Sequence, residues 1–393
     1  MTKGHSKRFH SFWAARPTPP ADRGRDERHP LHTVVTRICT LPPRLAGYLI
    51  ERFSAPGEVV FDPFCGKGTV ALEACLSGRE GIGSDISPEA VCATRASVRA
   101  PSISAVEQHI VEMAHCAQAL EDTREIEEEA HETSPDLSQF YHPSTLRQIL
   151  SWRRVLLSDR SDTGAFLKGL LLGILHGKGQ MFLSLRCSHS YSMSPNYVRK
   201  YVAANDLRAP ERDVAQCLLA RAKWVLRDGS VPAKGRAMQQ DARHLRLASN
   251  SVHLLVTSPP YFSVHRYARD NWIRLWFLGH EDYRGVQKTL IQTSDVAKYR
   301  TELRQAFAEM RRVLIPGRHA LVLVGDVTLR ARGDKARRIK TAELLSADAA
   351  AAGLECRGIL QDRIPRQYKV AGYMSRSGGI ATERLLVLRK PKA

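Results

Sequence analysis

The eight cysteines of this 393-residue chain do not form a single Cys-x-x-Cys pair. The absence of such a pair argues against a structural zinc site and against a disulfide framework, so no metal site is expected. The sequence also lacks an apolar run long enough to span a bilayer, and polar and basic residues follow Met1. We therefore expect a cytoplasmic protein that does not cross a membrane.

Acidic side chains are scarce relative to basic ones, since the chain has 40 Asp and Glu residues but 59 Lys and Arg residues. The resulting formal charge of +19 favours a polyanionic partner, of which nucleic acid is the usual one. A solvated basic surface in an Arg-rich chain is the alternative interpretation. Hydrophobic residues make up 43% of the chain, which is enough for a large packed core.

Three regions of the chain differ in composition and pattern. Residues 1–28 are rich in Arg, His and Pro and are predicted to be a flexible basic arm. Residues 29–100 and 232–393 alternate strand-like and helix-like patterns, and together they are predicted to be one catalytic domain. Residues 101–231 lose that rhythm and are predicted to be an inserted, mainly helical domain. Its stretch 147–227 carries fourteen Lys and Arg residues against five acids, which makes the insertion the candidate for target recognition.

The chain shows the strand–turn–helix order of an α/β fold with a mostly parallel sheet flanked by helices. Residues 59–61 are an apolar strand, and the segment Asp62–Thr69, here called the glycine turn, leads into a helix. A second strand, 81–83, ends at Asp85, and a later apolar strand, 252–256, is followed by two prolines. Further helices are predicted at 41–53, 121–136, 145–157, 166–175, 299–314 and 341–352, and further strands at 237–240, 320–324 and 384–388.

Polar signatures follow three of these strands, at the edge where open α/β sheets bind ligands. The glycine turn contains Gly66 and Gly68, which let a backbone approach a ligand closely. Asp85 lies about twenty residues further on, where a carboxylate can grip two ribose hydroxyls. Residues 258–261, here called the Ser-Pro-Pro-Tyr segment, form a rigid turn because two prolines end ladder bonding. Each segment also has an alternative interpretation without a ligand. The glycine turn could be a simple strand-to-helix turn, Asp85 could be a helix cap, and the Ser-Pro-Pro-Tyr segment could be an ordinary turn.

Two of these segments resemble motifs of the amino-directed DNA methyltransferases, which modify cytosine N4 or adenine N6. Asp62–Thr69 reads Asp-Pro-Phe-Cys-Gly-Lys-Gly-Thr and is similar to the family's cofactor motif D-P-F-x-G-x-G-T. The Ser-Pro-Pro-Tyr segment is similar to its catalytic motif [DNS]-P-P-[YFW]. Lys67 departs from the serine that many relatives have there. The resemblance covers about 29–100 and 235–393, and it implies a Rossmann-like class I methyltransferase fold with a largely helical insertion.

The resemblance also implies the cofactor S-adenosyl-L-methionine and assigns roles to individual residues. Asp62 and the turn between Gly66 and Gly68 would hold its methionine part, Phe64 would pack near it, Asp85 would bind its ribose, and Asp241 would bind its adenine amino group. The complete set of predicted cofactor-binding residues is Asp62, Pro63, Phe64, Gly66, Gly68, Thr69, Asp85 and Asp241. The predicted catalytic residues are Ser258, Pro259, Pro260 and Tyr261.

The chemistry of the reaction agrees with the residue types in the Ser-Pro-Pro-Tyr segment. The lone pair of an aromatic amine is delocalised into its ring, which makes the amine a poor nucleophile. The Ser258 hydroxyl and the Pro259 carbonyl can accept its two N–H bonds, while Tyr261 stacks on a base flipped from the duplex. In the resembling family serine at the first position favours cytosine, so N4 of cytosine is the predicted target. N6 of adenine is the alternative.

The predicted partner is double-stranded DNA, and a cognate restriction endonuclease is a candidate second partner. Arg199 and Lys200 are predicted to contact DNA, because the preceding residues 189–197 mix aromatics and hydroxyls as a base-reading loop does. A polar loop that caps a helix from Pro195 is the alternative. Two other functions stay open: methylation of a guanine N2 in tRNA, which usually accompanies an N-terminal RNA-binding domain, and a nucleic-acid-binding module with a vestigial cofactor pocket. The oligomeric state is not determined by the sequence.

Overall fold

The structure is a computed structural model. It describes residues 29–37, 40–177, 179–186, 194–233, 235–261, 267–291, 293, 295–329, 337–363 and 382–392. The predicted basic arm, 1–28, therefore lies outside the described residues, as does most of the predicted base-reading loop. Within the described ranges, no helix combines the length and the apolar character that a membrane crossing requires.

Strands and helices alternate in the first and last parts of the chain, whereas the middle part is helical. A 3-10 helix, Pro30–Thr33, precedes the first α-helix. The described strands are β1 (Val59–Asp62), β2 (Glu80–Asp85), β3 (Arg236–Gln239), β4 (Val252–Thr257), β5 (Leu314–Gly325), β6 (Val327–Leu329), β7 (Arg337–Ile339), β8 (Glu355–Arg363) and β9 (Thr382–Arg389). The described α-helices are α1 (Pro43–Phe53), α2 (Thr69–Leu76), α3 (Pro88–Val98), α4 (Ile103–Glu121), α5 (Arg124–Leu137), α6 (Pro143–Ser158), α7 (Asp162–Ile174), α8 (Pro195–Asn205), α9 (Val214–Val225), α10 (Tyr267–Asp270), α11 (Trp272–Phe277), α12 (Tyr283–Thr289), α13 (Val296–Val313) and α14 (Thr341–Ala351).

Seven strands form one sheet in the order β3-β2-β1-β4-β5-β9-β8. Strands β1 to β5 pair in parallel, and β9 runs antiparallel between β5 and β8. This mostly parallel sheet, flanked by helices, has the Rossmann-like architecture that was predicted, so the predicted fold class is confirmed. The strand order reverses between β1 and β4, which is the point where sheets of this kind bind ligands.

The central strands are apolar on both faces because helices cover both sides of the sheet. Successive side chains of a strand point to opposite faces, and β1 shows this directly. Phe61 and Leu255 belong to a core with helices α13 and α14. Val60 and Leu254 belong to the core on the other face, with helix α1. The two cores fix the registers of β1 and β4 and so place the ends of both strands at one edge.

The helices between residues 101 and 231 share a core with the sheet's own helices. Buried side chains of α4, α6, α7 and α9 form one cluster with Leu72 of α2 and Ala96 of α3. A Cβ on Gly169 would lie 2.3 Å from the Cβ of Ala96, so glycine lets α7 pack closely against α3. The described helices of this stretch are therefore packed on the catalytic part, and their role in target recognition stays a prediction.

The structure differs from the predicted pattern in several places, of which three concern predicted segments or the main sheet. The acidic stretch 121–136 is not one helix: α4 ends at Glu121, and α5 begins at Arg124. Strand β5 begins at Leu314, before the predicted 320–324, because a register shift opposite β4 accommodates Pro316 and Gly317. Strand β8 was not predicted, because it lies at the sheet edge, carries polar residues and has a shift in register that breaks any alternation.

Candidate active site

The glycine turn leaves β1 at Asp62 and enters helix α2 at Thr69. Gly66 and Gly68 adopt φ angles of 52° and 83°, in the left-handed region that favours glycine. A Cβ on Gly68 would lie 2.8 Å from the side chain of Thr94, so any larger residue would collide with helix α3. The Gly68 amide donates to the Cys65 carbonyl at 2.8 Å. The turn therefore requires glycine both for its backbone angle and for its packing.

Asp85, at the end of β2, is brought directly onto this turn. Its Oδ2 accepts a hydrogen bond from the Gly66 amide at 3.0 Å, and its Oδ1 accepts one from the Ser87 amide at 3.0 Å. Burial raises the pKa of Asp85, although the nearby Arg37 guanidinium and these two amides oppose the rise. Each carboxylate oxygen retains acceptor capacity, which a pair of ligand hydroxyls can use.

Asp62 joins the glycine turn to the end of β4. Its Oδ1 accepts hydrogen bonds from the Phe64 amide at 3.0 Å and from the Thr257 hydroxyl at 2.6 Å. The side chain is only 4% exposed, and burial raises the pKa of its carboxyl to about 7 despite these two donors. Both of these hydrogen bonds use Oδ1, so neither draws on the acceptor capacity of Oδ2.

The Ser-Pro-Pro-Tyr segment follows Thr257 immediately and therefore lies beside the glycine turn. The Ser258 hydroxyl donates to the Tyr261 hydroxyl at 3.4 Å, and the latter donates to Glu383 Oε1 at 3.4 Å. Both contacts are long for hydroxyl donors. A shorter bond of 2.9 Å runs from the Tyr299 hydroxyl to the Pro260 carbonyl, and burial raises the pKa of Tyr299. Helix α13 thus holds the second proline, Pro260, through the Tyr299 hydroxyl.

The remaining predicted residues of the glycine turn are packed rather than exposed. Pro63 and Thr69 are buried, and Phe64 packs at the margin of the core that contains helices α13 and α14. The Thr69 hydroxyl oxygen is buried and has no hydrogen-bond partner among the described residues. Lys67 does not follow the family pattern, and its amine donates to the His32 carbonyl at 3.0 Å.

Asp241 lies after β3, and its carboxylate is engaged with a neighbouring guanidinium. Arg243 contacts both oxygens, with Nε to Oδ1 at 2.9 Å and Nη2 to Oδ2 at 2.6 Å. Burial opposes ionisation, but the hydrogen bonds from Arg243 hold the pKa of Asp241 below its ordinary value. The predicted contact of Asp241 with adenine therefore competes with this ion pair, and it stays a prediction. Gln240, just before it, has a buried Nε2 with no partner in the described chain.

Arg37 and Glu89 belong to the site although sequence reasoning missed them. The Arg37 Nη1 donates to Glu89 Oε1 at 2.8 Å, and their side chains are 11% and 3% exposed. Burial disfavours the charge on Arg37, but Glu89 and Asp85 more than offset it and raise the pKa of Arg37. The guanidinium also lies 5.7 Å from the ring centre of Tyr267, which begins the first helix after the Ser-Pro-Pro-Tyr segment. No local motif marks either residue, because they are 52 positions apart.

Arg199 and Lys200 lie elsewhere, on helix α8, where both side chains are exposed. The Arg199 Nη1 donates to Asn196 Oδ1 at 2.9 Å. Across the described ranges, no cluster of three or more His, Cys, Asp or Glu side chains could hold a metal ion.

The residues at this edge of the sheet fit the predicted cofactor. Two carboxylates, Asp62 and Asp85, flank a turn whose backbone is open to close approach. A Cβ on Gly66 would meet no heavy atom nearer than 3.8 Å, where Arg37 lies. The carboxylate of Asp62 suits the cationic amino-acid group of the cofactor, and that of Asp85 suits its ribose hydroxyls.

Comparison with known proteins reveals similarity to methyltransferases over part of the chain. Residues 2–95 match the family model described as DNA methylase. The type II methyltransferase M.XycI of Xanthomonas campestris pv. cyanopsidis is 32% identical over 92 residues, which are 22% of this chain and 31% of that protein. The orphan methyltransferase M.BamHII of Bacillus amyloliquefaciens is 48% identical over 48 residues, 12% of this chain and 18% of that protein. The chain thus spans less than a third of either relative.

Solved structures of methyltransferases are also similar, at low identity. A putative DNA modification methylase from Thermus thermophilus, in complex with S-adenosyl-L-methionine, is 22% identical, with 39% of this chain and 52% of that chain covered and a TM-score of 0.26. A SAM-dependent methyltransferase from Methanosarcina mazei is 11% identical, with 90% and 100% covered and a TM-score of 0.38. The family match and the two relatives confirm the resemblance to amino-directed DNA methyltransferases. The family match contains the glycine turn but ends before the Ser-Pro-Pro-Tyr segment.

Proposed function

We propose that this protein is an S-adenosyl-L-methionine-dependent DNA methyltransferase that methylates the exocyclic amino group of a flipped base, namely N4 of cytosine. The observation that carries the proposal is the hydrogen bond of 2.6 Å between Thr257 and Asp62. It ties the end of β4, where the Ser-Pro-Pro-Tyr segment begins, to the glycine turn after β1. A methyl donor on the turn and an amine on the segment would therefore lie side by side.

Asp85 and the glycine turn supply the cofactor contacts in this proposal. Asp85 would accept hydrogen bonds from the ribose hydroxyls, since two backbone amides already hold its carboxylate in place. Asp62 would face the cationic methionine part with its Oδ2 atom. The bound cofactor supplies an electrophilic methyl group on a sulfonium centre. The family match over residues 2–95 supports this assignment.

The Ser-Pro-Pro-Tyr segment would orient and polarise the amine. The Tyr299 hydroxyl donates to the Pro260 carbonyl at 2.9 Å and so fixes the orientation of the second proline. The Pro259 carbonyl and the Ser258 hydroxyl are the acceptors for the two amine hydrogens, and accepting them favours a tetrahedral nitrogen with an available lone pair. Tyr261 would stack on the base once it has rotated away from its present contact with Glu383.

Cytosine is proposed as the target because of the chemistry of the first residue of the segment. A serine hydroxyl both accepts and donates, so Ser258 can bond the amino group and tolerate the ring acceptor N3 of cytosine beside it. An aspartate at this position could only accept. Adenine has an equivalent acceptor, N1, next to its amino group, so the preference for cytosine rests on the resembling family, in which serine at the first position favours cytosine.

Transfer of tritium from labelled S-adenosyl-L-methionine tests the proposed reaction and the class of substrate. Purified protein is incubated with bacterial genomic DNA from a strain without methyltransferases and, separately, with unmodified tRNA. The proposal predicts label in the DNA and none in the tRNA. Label in tRNA alone would replace it with the guanine-N2 reaction, and calorimetric cofactor binding without transfer to either would indicate a vestigial pocket.

Asp85→Ala tests the cofactor site separately from the reaction. We expect the dissociation constant for S-adenosyl-L-methionine, measured by calorimetry, to rise by about tenfold or more, because two hydroxyls lose a charged acceptor. Asp162→Ala is the matched control, since this exposed carboxylate pairs with Arg95 on the outside of helix α3. An unchanged constant in folded Asp85→Ala protein would remove Asp85 from the site.

A further inference from the structure

Helix α8 leaves two aromatic side chains in solvent. Tyr197 is 49% exposed and Tyr201 is 38% exposed. Their rings stack on each other, with centres 6.1 Å apart and planes inclined by 9°. Of the whole helix only Val198 is fully buried, where it joins the core shared with α3 and α7. Large exposed aromatic surface of this kind is uncommon unless a partner covers it.

Four of the exposed residues of α8 form one continuous ridge. Tyr197, Lys200, Tyr201 and Ala204 are spaced by three, one and three positions, so they lie on one side of the helix. All four are exposed, whereas Val198 and Val202 face the core from the other side. The ridge, here called the tyrosine ridge, thus consists of two parallel rings beside a cation, with a small residue at its end.

The charge of α8 indicates the chemistry of the partner. The helix carries Arg199 and Lys200 and no acidic residue, and it lies within the basic stretch 147–227. A second copy of the chain would bring an equally positive surface against it, which is unfavourable. A nucleic-acid strand offers phosphates for the cations and flat bases for the rings, the combination found on stacking platforms.

We propose that the tyrosine ridge is a DNA-contacting surface, on which Tyr197 and Tyr201 stack against bases left unpaired when the target base is flipped, while Lys200 contacts a phosphate. This inference rests on the proposed function and deepens it, because it places part of the DNA on α8 rather than at the sheet edge alone. The two kinds of contact differ in one measurable property. Stacking adds affinity without displacing counterions, whereas a phosphate contact displaces about one.

Fluorescence anisotropy with a fluorescein-labelled DNA duplex that contains unpaired bases tests the tyrosine ridge in the full-length protein. The double variant Tyr197→Ala/Tyr201→Ala should weaken DNA binding by about tenfold or more at each salt concentration, with an unchanged salt slope. Tyr197→Phe/Tyr201→Phe keeps both rings and should bind as the wild type does. Lys200→Ala should lower the slope of log affinity against log salt by about one.

Val111→Ala is the matched control, since Val111 is 56% exposed on helix α4, with acidic Glu107 and Glu112 nearby. It should not change DNA binding. Wild-type affinity in the double alanine variant, or equal losses in the phenylalanine and alanine variants, would overturn the stacking role. A change of oligomeric state in the alanine variant, with DNA affinity retained, would assign the ridge to self-association. Absence of DNA binding by the wild type would instead reject the proposed function itself.

Discussion

The glycine turn and the Ser-Pro-Pro-Tyr segment lie side by side, yet they are held in different ways. Backbone groups fix the turn: the Gly66 amide donates to Asp85 at 3.0 Å, and Gly68 packs against Thr94 so closely that no Cβ fits. Backbone geometry of this kind is set by the fold and changes little when a ligand binds. We infer that the cofactor side of the site is formed before any ligand arrives.

Side-chain hydroxyls link the Ser-Pro-Pro-Tyr segment to its surroundings. Ser258, Tyr261 and Glu383 are linked by contacts of 3.4 Å, and a shorter bond of 2.9 Å comes from Tyr299. Long contacts between catalytic groups commonly shorten when the substrate is bound. We therefore expect substitutions in the two regions to affect cofactor binding and methyl transfer separately. Four variants test this expectation.

Arg37 is expected to show the largest effect, because its buried ion pair with Glu89 lies beside the glycine turn. Arg37→Met leaves Glu89 charged and buried, which should lower the free energy of unfolding by about 3–5 kcal/mol. Urea denaturation measures this loss, and the double variant Arg37→Met/Glu89→Gln should recover part of it. A loss below about 1 kcal/mol in the single variant, as exposed pairs show, would mean that this buried ion pair does not stabilise the cofactor side of the site.

Ser258→Ala should separate the reaction from binding. We expect kcat for methyl transfer to fall by about 10²- to 10³-fold, because an acceptor for the reacting amine is lost in the transition state. The dissociation constant for S-adenosyl-L-methionine should stay unchanged, since the turn does not depend on Ser258. Calorimetry and single-turnover transfer measure the two quantities, and a parallel loss of cofactor affinity would show that the two regions are not independent.

Gly68→Ala should damage the cofactor side instead. A φ of 83° and a Cβ position 2.8 Å from Thr94 together predict a loss of roughly 2–3 kcal/mol in unfolding free energy and weaker cofactor binding. Gly78→Ala is the matched control, because Gly78 has a φ of 74° but no atom within 4 Å of its Cβ position. Its loss should be only about 1 kcal/mol. Equal losses in the two variants would show that contact with Thr94 does not matter.

The carboxyl of Asp62 should give cofactor binding a pH dependence. Burial raises its pKa from the ordinary 3.8 to about 7, so the unliganded protein should lose unfolding free energy as pH rises from about 4 to 7. A cationic ligand group needs the carboxylate form. Affinity for S-adenosyl-L-methionine should therefore fall about tenfold for each pH unit below 7 and level off above it. Asp62→Asn should remove this dependence in calorimetric titrations, and a pH profile that survives the substitution would contradict the role.

Local sequence was sufficient to predict the parts of the site that depend on adjacent residues. The glycines of the turn and the acid after the second strand follow from strand and turn patterns, and the structure brings Gly66 and Asp85 into contact. The link between Thr257 and Asp62 could be expected only in outline, because two strands far apart in the chain must first pair in parallel.

Contacts that depend on tertiary packing could not be predicted. Arg37 pairs with Glu89 and lies near Tyr267, and neither the spacing nor the residue types single them out. Tyr299 has the pattern of an ordinary core residue of helix α13, yet its hydroxyl positions Pro260. The tyrosine ridge had only a partial signal, since the cations of α8 stood out in the sequence but the exposure of Tyr197 and Tyr201 did not.

Mass spectrometry of nucleosides most directly tests the central claim that this site methylates a DNA amino group. DNA incubated with the purified protein and S-adenosyl-L-methionine is digested to nucleosides, with the Ser258→Ala protein as the control. The account predicts N4-methyldeoxycytidine with the wild type and almost none with the variant. N6-methyldeoxyadenosine alone would contradict the cytosine assignment but leave the reaction class, and the absence of any methylated amino nucleoside, with cofactor binding intact, would contradict the account as a whole.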